Sequence, residues 1–306
     1  MNGSLHSYMK VGIVHFMAFP DTAKGEGPVL ENMTKIAEDE FFGAIEITAI
    51  PDPKLRKQVA RLLETAGLIV GFGAQPIELG GKLDLNSVDS ATRKIAVDAM
   101  KKSIDEAAEV GAKRFAVLSG PYPGDDKAKA ATDALVDSLD QLAGHAKSRG
   151  SMGLTLEVFD RTIDKKSLIG PTSEGVAVSK AVRKNHPDFG LMIDLSHLPL
   201  QFETAEASLS VAAEHLVHAH IGNAVMRDRT HKLYGDLHPR FSIAEGENGV
   251  AEVVEFLRML YKIGYIGEGK QNIVAFEVKP FGDETSGAVV AQAKRTLMEA
   301  WARLAV

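Results

Sequence analysis

Four segments of the chain share one design: an apolar run that finishes on a group able to bind a proton or a metal. TLEVF (155–159) carries Glu157, and MIDLSH (192–197) carries Asp194 and then His197. HAHIG (218–222) carries His218 and His220, and AFEV (275–278) carries Glu277. A carboxylate or an imidazole is costly to bury without a partner. Taken alone, each of these groups is more simply explained as a cap, an ion pair or a hydrogen-bonded core residue. Three carboxylates and a neutral imidazole brought to one point would repel strongly unless a cation lay among them. Oxygen-rich ligation with one nitrogen suits Mn²⁺ first, with Mg²⁺, Co²⁺ or Zn²⁺ as alternatives. The ligand set read this way is Glu157, Asp194, His220 and Glu277. His220 is preferred to His218 because it lies nearer the end of its run; the two share a face.

The elements that must hold these groups are short apolar strands alternating with amphipathic helices. Strands are expected at 11–16, 44–50, 67–73, 114–120, 153–159, 190–196, 216–222 and 272–278. They are almost continuously apolar, as strands covered on both faces are. Val97, Met100, Ile104 and Ala107 share one helix face, as do Leu135, Leu139, Leu142 and Ala146. Val250, Val253, Val254, Leu257 and Tyr261 form a third such face, and Gly111 and Gly264 are placed to end helices. Eight strands with intervening helices predict an α/β fold, a single-domain (β/α)8 barrel over residues 10–306, preceded by a flexible tail at 1–9. An open doubly wound sheet is the alternative, but the first strand runs into MAFPDTAKGEG, without a G-x-G-x-x-G turn.

In such a barrel the site lies at the C-terminal ends of the strands. Strand two adds Glu46 to that rim, an expected substrate contact. Asp194 and His197 can both reach the rim if the chain turns after Asp194, which leaves His197 to face whatever the metal holds. Residues 223–249 form a polar segment without helical period, long enough to be functional. It carries Arg227, Arg229, His231, Asp236, His238 and Arg240 and is read as a lid over the substrate, with Asp236 and His238 as contacts.

Bulk composition narrows the function. Lys plus Arg is 35 against 41 Asp plus Glu, a net charge of −6, which disfavours a nucleic-acid binder. With no cysteine there is neither a disulfide nor a thiolate metal site. No secretory leader or membrane span is apparent, so a cytoplasmic location is expected.

TLEVFD, MIDLSH, HAHIGN and AFEVKP, in this order on successive strands, resemble the xylose-isomerase-like barrel superfamily. The resemblance covers essentially the whole chain. That group holds sugar isomerases, ketose 3-epimerases, inosose dehydratases and isomerases, and endonuclease IV repair enzymes. Similarity to the ketose 3-epimerases implies one divalent metal on Glu157, Asp194, His220 and Glu277. The two glutamates would then act as acid and base, with His197 and Arg227 touching substrate. Endonuclease IV enzymes add an Asp-x-His pair, which Asp236-Leu-His238 resembles. They also need histidines after strands three and four, where this chain has GFGAQP and LSGPYPG. The expected activity is therefore metal-dependent isomerisation or epimerisation of a sugar or keto-sugar through an enediolate. The alternative is a lyase or dehydratase of a keto-sugar, inosose or 3-keto-glycoside using the same enolate chemistry. The partner expected is a small carbohydrate, with no nucleic acid and no membrane; the resemblance adds a homo-oligomer.

Overall fold

The computed structural model describes residues 3–150 and 152–304. Eight parallel strands occur among them: β1 (Lys10–Ile13), β2 (Ala44–Ile47), β3 (Ile69–Gly73), β4 (Arg114–Leu118), β5 (Gly153–Glu157), β6 (Gly190–Asp194), β7 (Leu216–Gly222) and β8 (Ile273–Glu277). Each pairs with its sequence neighbour from β2 to β8, and β8 pairs with β1. The ring closes where Val14 bridges in parallel to Glu46, just beyond β1. This is the (β/α)8 barrel, and the polar groups named above sit at or next to the strand ends, where the fold builds its sites.

Burial explains the continuous apolar runs. Ile13, Ile45, Ile47, Phe115, Leu156, Ile221 and Phe276 have no exposed surface. The helix over Ser90–Glu109 buries Val97, Met100, Ile104 and Ala107, and that over Asp125–Ser148 buries Leu135, Leu139, Leu142 and Ala146. The helix over Val250–Lys262 buries Val253, Val254 and Leu257, but Tyr261 of the expected face points to solvent. Gly111 and Gly264 take left-handed φ values of 76° and 73° after their helices.

Two expectations are corrected. The first strand stops at Ile13 instead of Phe16, because a short helix, His15–Ala18, starts on the rim. Of the segment expected to be a loose tail, residues 1–2 lie outside the described residues and Gly3, Ser4, His6 and Ser7 are exposed, but Leu5 and Met9 are buried and Tyr8 meets Trp301 edge-on at 5.1 Å. The Trp301 indole N–H donates to the Gly3 carbonyl at 3.0 Å. A polar sequence with isolated apolar residues hid this anchoring.

One irregularity bears on the site. Leu191 pairs with Leu216 but Met192 pairs with His218, so Val217 is bulged out of β7. A Cβ on Gly190 would lie 2.3 Å from the Val217 side chain, so glycine there makes room for the bulge. Beyond it, Asp194 lies directly beside His220.

Candidate metal centre and active site

Strand register assembles the four residues. Glu157 ends β5, Asp194 ends β6 beside His220 of β7, and Glu277 ends β8 beside Gly222. One donor atom from each lies within 4.8 Å of the others. The Nδ1 of His220 is 2.7 Å from Glu277 Oε2 and 3.8 Å from Glu157 Oε1. Glu157 Oε1, Asp194 Oδ2, His220 Nδ1 and Glu277 Oε2 are all buried without a hydrogen-bond partner. An orphaned buried polar atom costs about 1–3 kcal/mol, more for a charged group, so four facing one another need a common partner. Three carboxylate oxygens and one imidazole nitrogen fit a divalent cation of the Mn²⁺, Mg²⁺, Co²⁺ or Zn²⁺ kind.

The other end of each ligand is tied down. Gln75 Nε2 donates to Glu157 Oε2 at 2.6 Å, and the Ser196 amide donates to Asp194 Oδ1 at 2.7 Å. His220 Nε2 lies 2.9 and 3.1 Å from the two oxygens of Glu46. Donation from Nε2 leaves the Nδ1 lone pair facing the ligand cluster. Glu46 was expected to touch substrate. It borders the cavity, yet its carboxylate is committed to His220 and to His218 Nε2 at 2.7 Å. Gly71 on β3 makes room for it, since a Cβ there would come within 2.9 Å of Glu46 Cγ. Gln75 escaped sequence reading because an amide after a strand resembles any loop residue; its position on the rim was the available signal.

A second group adjoins the first. His197 Nδ1 donates to the Val158 carbonyl at 3.0 Å, and its Nε2 lies 3.2 Å from Asp236 Oδ1 and 3.8 Å from Asp194 Oδ2. His238 Nε2 is 2.9 Å from the same Asp236 oxygen and 3.5 Å from Glu277 Oε1. Lys165, another residue missed in the sequence, places Nζ 2.8 Å from Asp236 Oδ2. The lid segment 223–249 thus reaches the site through Asp236 and His238. It does not do so through Arg227, which is largely exposed beside Glu247 and is absent from the cavity wall. His197 also lies off that wall, with its ring 4.4 Å from that of Phe159. Neither of these two expected substrate contacts is placed on the cavity wall: Arg227 extends outward along the segment, and His197 is turned inward by the helix that starts on it, His197–Gln201.

Burial raises the Glu157 carboxyl to about 8, reinforced by Glu277 and Asp194 and opposed by His197. Glu277 goes the other way. Burial alone would raise it, but His238 and His220 hold it down, to about 2. Burial would lower His238, yet Glu277 and Asp236 bring it up to about 9. The two carboxyls are thus pushed apart in the metal-free fold. They face a cavity of about 190 Å³ whose wall includes Phe16, Met17, Leu79, Phe159, Lys165 and His238.

The chain matches the family model described as xylose isomerase-like TIM barrel over residues 36–300. No curated protein matches it in sequence. Among solved structures it is similar to a D-tagatose 3-epimerase-like protein, at 20% identity and TM-score 0.72, covering 97% of this chain and 98% of that one. It is also similar to the IOLI protein with a binding zinc atom, at 15% identity and TM-score 0.73, covering 97% and 99%. AP endonuclease, family 2, from Brucella melitensis matches at 19% identity and TM-score 0.66, covering 94% and 98%. Likenesses at these identities speak for the fold, and the family match speaks for descent: the chain belongs to the xylose isomerase-like TIM barrel family.

Proposed function

We propose that the protein is a divalent-metal-dependent isomerase or epimerase of a sugar or keto-sugar, with Glu157, Asp194, His220 and Glu277 as ligands. The observation that carries this reading is the set of four orphaned donor atoms facing one another beneath a cavity. A cation held there, Mn²⁺ by preference, would supply Lewis-acid stabilisation to the substrate carbonyl oxygen as charge develops on it. The chain's own residues move the proton. Glu277, kept ionised beside His238, removes it from the carbon next to the carbonyl. Glu157, the second carboxylate on the cavity wall, returns a proton. Gln75 and Glu46 hold Glu157 and His220 still while this happens. The likeness to the D-tagatose 3-epimerase-like protein supports a small carbohydrate as substrate.

A second outcome is favoured by one observation. His238, held protonated, lies 3.5 Å from Glu277 Oε1 and on the cavity wall, where it could give a proton to a departing group. If the substrate carries a leaving group β to the carbonyl, the same enolate expels it and the protein is a lyase or dehydratase. Product identity from the Mn²⁺-loaded protein with ketoses, inososes and 3-keto-glycosides decides between the two. An epimer or isomer supports the first outcome and a dehydrated or cleaved product the second. Binding without conversion of any of them would overturn both.

A further inference from the structure

The donor atoms suffice for more than one ion. Asp194, His197 and His238 bring one ligand atom each within 4.8 Å of one another, a group that shares Asp194 with the first. His197 Nε2 and Asp236 Oδ1, 3.2 Å apart, face the same space. By donor count a second divalent cation should join the first. Lys165 stands against it, with Nζ 2.8 Å from Asp236 Oδ2.

Lys165 does not behave as a mobile surface lysine. The buried carboxylate of Asp160 accepts the amides of Ile163 at 2.6 Å, Asp164 at 2.9 Å and Lys165 at 2.9 Å, and so winds the loop after β5 into a fixed turn. The far side of the turn is anchored where the Tyr122 amide donates to the Lys166 carbonyl at 2.9 Å. From this platform Nζ lies 2.8 Å from Asp164 Oδ2 and 2.8 Å from Asp236 Oδ2. Asp164 Oδ2 also accepts the Asp236 amide at 3.2 Å, so the pair cannot drift apart. Apart from imidazoles, Lys165 is the one cationic side chain on the cavity wall among the described residues.

We propose that Lys165 keeps the site mononuclear. Its ammonium gives Asp236 the positive charge that a second ion would otherwise supply. It also repels a dication seated among Asp194, His197 and His238, across the Asp236 carboxylate whose other oxygen lies 3.2 Å from His197 Nε2 and 2.9 Å from His238 Nε2. The inference rests on the proposed function only in taking Glu157, Asp194, His220 and Glu277 as the site of the first ion.

The test is metal stoichiometry, which needs no substrate. Chelator-stripped protein is titrated with Zn²⁺ and Co²⁺ by calorimetry, and bound metal is counted by elemental analysis. Wild type and Lys165→Arg should hold one equivalent. Lys165→Met should hold two, with the second ion bound roughly a hundredfold more tightly than in wild type. Lys165→Met with Asp236→Asn should return to one. If Lys165→Met fails to fold, Lys165→Gln takes its place. One equivalent in the neutral variant, or two in wild type, overturns the proposal while leaving the function intact. No bound ion in wild type overturns the function as well.

Discussion

Glu46 and His220 are 174 positions apart, yet His220 Nε2 sits 2.9 and 3.1 Å from the two carboxylate oxygens of Glu46. That contact fixes which imidazole nitrogen faces Glu157, Asp194 and Glu277. It also stands beside the Val14–Glu46 bridge that closes the barrel, so ring closure and ligand orientation depend on one residue. Glu46→Gln keeps the shape but removes the acceptor charge. Metal affinity is expected to fall about 10- to 100-fold, measured by competition with a chelator, and the metal-free protein should also melt lower because His218 and His220 lose a buried acceptor charge. Unchanged affinity would show that Glu46 does not orient the ligand.

Gly71→Ala attacks the same relationship from behind. The new Cβ meets Glu46 Cγ at 2.9 Å and has to displace it. The expected result is a loss of metal affinity similar to that of Glu46→Gln, together with a stability loss of about 1–3 kcal/mol from overpacking, read by urea denaturation. Wild-type affinity in this variant would mean that Glu46 can shift without disturbing His220.

Arg227 provides a contrast. Its side chain is 59% exposed and 3.4 Å from Glu247, away from the cavity. Arg227→Ala should leave kcat/KM within about twofold and stability within about 0.5 kcal/mol of wild type. A large rise in KM would show that the lid moves Arg227 onto bound substrate.

The pH dependence has a definite sign. Glu157 binds its proton up to about pH 8 in the metal-free fold, against about 4.5 when unfolded. A carboxyl raised in this way favours folding at low pH and loses that advantage as pH rises through 8. His238, raised to about 9, contributes stability that is complete below 6.5 and lost as pH rises through 9. Both groups make the metal-free protein less stable between pH 5 and 9. An ion must displace the Glu157 proton, so metal affinity should climb over the lower part of this window and level off above pH 8. Melting temperatures with and without Mn²⁺ across pH 5–9 check this: the gap should widen as pH rises. A constant gap would mean that Glu157 is already ionised without metal.

The barrel and its four ligand candidates were legible in the sequence for one reason. Parallel strands buried on both faces read as plain apolar runs, and polar residues that break those runs at their ends stand out. Glu157, Asp194, His220 and Glu277 all had that contrast. What was not legible depends on contacts made across the barrel or through loops. Glu46 was visible as a strand residue, but its pairing with β7 follows from closure of the ring. Gln75 opens a short helix, Gln75–Gly81, on the rim, and Lys165 lies in a loop whose turn is set by the three amides on Asp160. The substrate contacts expected of Arg227 and His197 follow from the family resemblance, which says nothing of how the chain runs after each ligand. The chain then turns one outward and the other inward. The anchoring of residues 5–9 needed Trp301, nearly the whole chain away.

The central claim is that Glu277 removes a proton from carbon beside a carbonyl held over a metal. The most direct measurement is solvent deuterium entering that carbon, followed by NMR in D2O with Mn²⁺-loaded protein and the keto-sugar panel. Wild type should exchange the proton, and Glu277→Gln should slow the exchange by about 10²- to 10⁴-fold when compared at saturating Mn²⁺. Conversion of a substrate without any deuterium in the product, or undiminished exchange in Glu277→Gln, would contradict the account.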